Sequence, residues 1–233
     1  MNMKSNKIRL SALFMAVVMC FANYSFACTN FLITKGASKD GSTMVTYAAD
    51  SHTLYGELYY NRAAQYPEGT MIQVIDWDSG KPLIQIPQVA NTYTTVGNMN
   101  QWGLAIAETT YGGREELVDT TGGIDYGSLI YLTLQRAKNA REAIKQIAEF
   151  VDTYGYYSSG ESFSIIDENE VWIMELIGKG APVYNKKGKI DKRWTKGAVW
   201  VAMRVPDGYI SGHANHARIT TFAQETKGSF KSI

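Results

Sequence analysis

The 233 residues carry 23 Lys and Arg against 22 Asp and Glu, a formal net charge of +1. That balance leaves no basic stripe for nucleic acid and no polybasic patch for an anionic membrane surface. With 45% hydrophobic residues, 5 tryptophans and 15 tyrosines, the chain can fill one substantial core and line a binding cleft.

Residues 1–27 read as a secretory signal peptide. Lys4, Lys7 and Arg9 form a basic start, followed by the apolar run Leu10 to Ala22. That run holds 13 residues, short of the roughly 20 that span a bilayer as a helix. A retained signal-anchor is the alternative. The stretch Ser25 to Cys28 (SFAC) places small side chains three residues and one residue before the cut, as a signal peptidase requires. Export to the periplasm or the medium is the expectation. Cys20 leaves with the leader, so Cys28 is the only cysteine of the mature chain and its first residue.

The stretch after Cys28 predicts mostly strand. Thr29 to Lys35 is rich in β-formers, 36–42 is a turn by composition, and Met44 to Ala49 is the returning strand. Further strands are predicted at Gly56–Ala63, Met71–Trp77, Thr92–Gly97 and Leu104–Thr109. A helix over Ile124–Ala137 follows the glycine-rich stretch 111–123. A second begins at Asn139, with Glu142 completing a capping box and Gly155 ending it. Ile144, Ile147, Ala148 and Val151 give that helix one apolar face. Strands return at Ser162–Asp167, Glu170–Ile177, Ala198–Arg204 and Tyr209–His213, and Ala217 to Ile233 reads as the start of a helix. Strands, a helix pair and strands again predict an α+β fold of largely antiparallel sheets with helices packed outside.

Cys28 carries the chemical argument. A free thiol titrates near pH 8.5 and is mostly un-ionised at neutrality. An α-amine titrates near 7.7–8.0, so a mature Cys28 would hold a nucleophile and a base in one residue. Acyl transfer to sulfur followed by thioester hydrolysis is the chemistry this pair supports. Attachment of a lipid at Cys28 is a competing fate that would block both groups, although Ser25 and Phe26 replace the usual lipoprotein residues. An inert cysteine is the third reading. A hairpin would return Asp50 to the neighbourhood of Cys28, where a carboxylate can hold an ammonium or orient a thiol; a locally satisfied strand-end Asp is equally open. His213 and His216 lack a third ligand at metal spacing, and His52 stands alone.

From Cys28 onward the chain resembles the cysteine-type N-terminal-nucleophile dipeptidases, the family of bacterial dipeptidase A and the secernins. The resemblance is carried by CTNFLITKGASKDGS from Cys28 to Ser42, AADSH from Ala48 to His52, GLAIAETT from Gly103 to Thr110, VWVAMRVPDG from Val199 to Gly208 and HANHAR from His213 to Arg218. Choloylglycine hydrolases and penicillin V acylases are more distant relatives sharing the starting cysteine. The resemblance implies a four-layer αββα fold over 28–233, truncated at the C-terminus because members are usually longer. It also implies hydrolysis of dipeptides without metal or cofactor, and small peptides as partners rather than nucleic acid or membrane. It makes Cys28 the nucleophile, Asp50 its supporting acid and Asn215 a donor to the tetrahedral oxyanion. Where many relatives have an arginine this chain has Tyr47, which moves activation onto the α-amine. Glu108 can bind a substrate's free amino group, or be an ordinary strand-end glutamate. Within the same class, an acylase or bile-salt amidase is the alternative activity.

Overall fold

The computed structural model describes residues 28–50, 56–221 and 230–231. Residues 1–27, where the sequence predicts a signal peptide and which include Cys20, lie outside the described residues, as does His52. The strands in chain order are β1 (Asn30–Ile33), β2 (Met44–Val45), β3 (Tyr60–Asn61), β4 (Met71–Ile75), β5 (Pro82–Pro87), β6 (Thr95–Val96), β7 (Met99–Asn100) and β8 (Ala105–Gly112). Helices α1 (Tyr126–Leu134) and α2 (Ala140–Tyr154) follow, then β9 (Gly160–Ile166), β10 (Val171–Gly178), β11 (Ala198–Arg204), β12 (Ile210–His213) and β13 (Phe230–Lys231).

Among the described residues, eight strands form one antiparallel sheet in the order β13-β11-β10-β9-β8-β7-β6-β3, three form a second in the order β12-β1-β2, and β4 and β5 pair as a hairpin. Alternation along the strands decides which face meets which layer. Ile106, Phe163, Ile165, Trp172 and Met174 point to the helices, where they pack with Leu129, Ile144, Ile147 and Val151. Ala105, Ile166, Val171 and Ile173 point the other way and meet Leu32 of β1. The molecule is thus mixed and mostly antiparallel, with two helices on one face of the large sheet and the small sheet on the other, consistent with an α+β hydrolase fold.

Helix boundaries follow local chemistry. Asn139 Oδ1 accepts from Glu142 N at 2.9 Å, and Glu142 Oε2 accepts from Lys138 N at 2.8 Å. That exchange satisfies donors at the start of α2, as a capping arrangement should. Gly155, at φ 82°, ends the helix. The first helix is shorter than the sequence predicts, because Asp125 acts as its cap and accepts from the amides of Gly127 and Ser128. Ile124 is instead bridged to Tyr156 in the parallel sense.

Two other expectations are corrected. β5 and β7 lie where no strand is predicted; β5 has Pro82 and Pro87 at its ends, a residue type confined to edges and strand starts. In the C-terminal stretch read as a helix, residues 217–221 have no regular structure and β13 pairs with β11. Sheet pairing across distant sequence outweighs the local helical pattern there, while 222–229 lie outside the described residues.

Between the two sheets sits a buried polar chain. Asn30 Nδ2 donates to Ser164 Oγ at 3.1 Å, and Ser164 Oγ lies 3.2 Å from His213 Nε2. Burial, then the positive charge of Arg218, lowers His213 from its ordinary 6.5 to about 4. The unfolded chain therefore binds this proton first as pH falls. Stability on this account is full above pH 6.5 and declines towards pH 4, by up to about 3 kcal/mol. Urea titrations over that window should show the decline, and His213→Gln should flatten it. An unchanged slope in the variant would assign the decline to other groups.

Candidate active site

The strand pairing that builds the small sheet also positions Cys28. Thr29 and Ala48 form a bridge through two bonds, Thr29 N to Ala48 O at 2.9 Å and Ala48 N to Thr29 O at 3.1 Å. Cys28 stands one residue outside that bridge, and the chain beyond Ala48 runs back past it. Asp50 consequently lies beside the thiol: its backbone N–H donates to the Cys28 sulfur and its carboxylate acts on it electrostatically. The predicted approach of Asp50 to Cys28 is thus present.

Cys28 is half-buried, and burial pushes its thiol above the ordinary range. The charge of Glu108 pushes in the same direction, and the Asp50 N–H partly offsets both. Tyr47, in the position where the resemblance would place an arginine, donates its hydroxyl to Glu108 Oε1 at 2.5 Å. Burial and then the Glu108 carboxylate hold that phenol firmly protonated. No positive charge enters from this position. The group aimed at the thiol's surroundings is a neutral donor fixed to a carboxylate.

Glu108 belongs to β8, and the neighbouring Glu161 opens β9. Thr110 pairs with Glu161 and Glu108 with Phe163, so the two glutamates are diagonal neighbours on one face. Both are buried, at 3% and 0% exposure. Burial and the charge of Glu108 raise Glu161 well above the usual carboxylate range, and the two side chains are hydrogen-bonded. One proton held between them explains this arrangement. The oxygens left for it are Glu108 Oε2 and Glu161 Oε1, buried with no other donor, while Glu161 Oε2 accepts from the Thr110 hydroxyl at 2.9 Å.

Asn215 approaches the same strand from the loop after β12. It adopts φ 42°, a left-handed conformation that Asn tolerates better than most residues. Its Nδ2 donates to Thr110 O at 2.6 Å. An amide nitrogen has two hydrogens, so this bond orients the group and leaves the second for another acceptor. Asn215 is therefore tied to the strand of Glu108, whereas Asp50 is tied to Cys28 itself.

Beside these residues a cavity of about 220 Å³ is lined by Asp76, Asp78, Thr110, Tyr126 and Glu161 among others. Tyr126, the first residue of α1, donates its hydroxyl to Asp78 Oδ1 at 2.8 Å. Gly127 lets the turn carrying these aspartates approach the helix, since a Cβ there would stand 2.6 Å from the Trp77 side chain. Sequence reasoning missed Glu161, Tyr126 and the two aspartates. Glu161 had a readable signal: a carboxylate directly before a strand core of SFSII.

A half-buried thiol flanked by a carboxylate and a backbone donor, at the head of a strand in this α+β frame, defines a candidate cysteine hydrolase. The chain belongs to peptidase family C69, whose model matches residues 27–231. It is 27% identical over 223 residues to the "Probable dipeptidase A" of Streptococcus pyogenes serotype M18, an alignment covering 84% of this chain and 41% of that one. To the "Dipeptidase A" of Lactobacillus helveticus it is 26% identical over 224 residues, covering 87% and 43%. A "Probable dipeptidase" of Latilactobacillus sakei is 24% identical over 211 residues, covering 83% and 40%. The chain spans about two fifths of the length of these curated relatives.

Proposed function

We propose that the protein is an exported cysteine dipeptidase, activated when removal of residues 1–27 frees the α-amine of Cys28. The placement of Asp50 and Glu108 around the Cys28 thiol is the observation that carries this reading. The family supports it, and the names of the relatives supply the substrate class. A raised thiol pKa makes a built-in base necessary, and the α-amine is the base at hand. It takes the thiol proton as sulfur attacks the carbonyl, and the oxyanion forms near the free hydrogen of Asn215 Nδ2. Collapse breaks the C–N bond, with the α-ammonium returning its proton to the leaving amine. Water then hydrolyses the thioester. Asp50 holds the ammonium, and Glu108 receives the free amino group of the substrate.

In this reading the fold is the four-layer αββα arrangement over 28–233, completed by further chain. The outer face of the small sheet supports this: Phe31 and Ile210 point away from the large sheet at 49% and 60% exposure, an apolar surface suited to a covering layer.

The test is made on protein exported by a host. Intact mass and N-terminal sequencing should give an unmodified Cys28 as first residue, and that material should hydrolyse free dipeptides but not their N-acetylated forms. A different first residue, or an acylated Cys28, sinks the proposal.

A further inference from the structure

We infer that the acidic cavity lined by Glu161, the hydrogen-bonded neighbour of Glu108, is a specificity pocket for a cationic side chain, that of a lysyl or arginyl residue at the N-terminal position of the substrate. The inference rests on the dipeptidase reading and names a substrate class for it. Three of the residues lining the cavity, Asp76, Asp78 and Glu161, carry carboxyl groups, and no Lys or Arg is among them. These groups are arranged by depth. Asp78 is exposed and bound to the Tyr126 hydroxyl. Asp76 is buried and held by the amide and hydroxyl of Ser79. Glu161 is fully buried, and apart from the proton it shares with Glu108 its Oε1 meets no donor from the protein. Only a proton or an incoming cation can satisfy that oxygen. A bound ammonium or guanidinium would take over the place of the shared proton, which leaves to solvent.

Size and position decide between a side chain and the substrate's own α-ammonium. Seating one water-sized group takes roughly 10–15 Å³, so a cavity of about 220 Å³ is more than ten times too large for an ammonium head alone. An α-ammonium is also two bonds from the carbonyl under attack and must stay beside the sulfur. Glu108 acts on Cys28 directly, whereas Cys28, Asp50, Tyr47 and Glu108 are not among the cavity's lining residues. Glu108 and Glu161 form one hydrogen-bonded pair, of which only Glu161 lines the cavity: Glu108 takes the α-ammonium on the Cys28 side, and the cavity takes a chain of several carbons ending in a charge. Val118 and the Tyr126 ring supply apolar wall for that chain.

The experiment compares Lys-Ala with norleucyl-Ala, and Arg-Ala with citrullyl-Ala, pairs that differ mainly in charge, using the full chain with its leader removed. The ratio of kcat/KM, cationic over neutral, should be about 10–100, the factor that a charge-assisted bond to a buried carboxylate provides. In Glu161→Gln and in Asp78→Asn the ratio should fall towards one. Because the readout is a ratio, a general loss of activity in a variant does not affect it, and the wild-type comparison needs no variant. Equal kcat/KM within each wild-type pair would overturn the pocket while leaving the dipeptidase reading in place. Hydrolysis of none of the four peptides would overturn both.

Discussion

On the proposed function, Cys28→Ala should abolish dipeptide hydrolysis and leave the fold as it is. The side chain lies ahead of the first bridge of β1, outside both hydrophobic clusters, so removing its sulfur opens no core cavity. The stability change should stay within about 1 kcal/mol. The α-amine remains on residue 28, which separates loss of the nucleophile from loss of the base. Removing a nucleophile that works with a neighbouring base drops kcat on the order of 10⁵–10⁶-fold. Assays with a free dipeptide should find no turnover above background, with circular dichroism and the urea midpoint unchanged. Residual activity above about a thousandth of wild type would place the nucleophile elsewhere.

Asn215→Ala should lower kcat about 10²–10³-fold with little change in KM, since loss of one preorganised oxyanion donor is felt mainly in the transition state. Alanine is also strained at φ 42°, which costs roughly 1–2 kcal/mol and could loosen the loop. Asn215→Gly removes that ambiguity, because glycine tolerates the conformation and lacks the amide. Both variants should lose kcat alike, and only the alanine variant should lose thermal stability. A glycine variant with wild-type kcat would reduce Asn215 to a strut that ties its loop to Thr110.

Features set by neighbours in sequence were the legible ones. Asn139, Glu142 and Gly155 delimit α2 because caps act over three or four residues, and the apolar face of that helix follows from its period. The return of Asp50 to Cys28 was legible because a hairpin is the shortest way to reverse a strand. Features made by pairing across long stretches were not. Nothing near Phe230 announces that β13 adds to β11, and prolines disguise β5. Glu161 escaped because its meaning arises from Glu108, which stands 53 positions earlier in the chain and becomes its diagonal neighbour only when β8 and β9 align. The cavity aspartates lie in a turn whose composition looks like any other. Tyr47 could be seen only as a substitution; that its hydroxyl would fasten a glutamate beside the thiol depends on the stacking of two sheets.

The bond from Tyr47 to Glu108 fixes a carboxylate where it acts on the thiol, and so biases which reagents the thiol accepts. An arginine at that position would attract anions and keep the sulfur ionised, open to peroxide and to any small electrophile. Burial first, and then the Glu108 carboxylate to which the phenol is fastened, keep the resting sulfur protonated, and that carboxylate repels anionic oxidants and acidic alkylating agents. A positively charged warhead would be drawn in, and in neutralising Glu108 it would also release the sulfur's proton more readily. Selective labelling of this cysteine in a mixture of proteins is therefore a matter of the charge on the probe as much as of its reactivity.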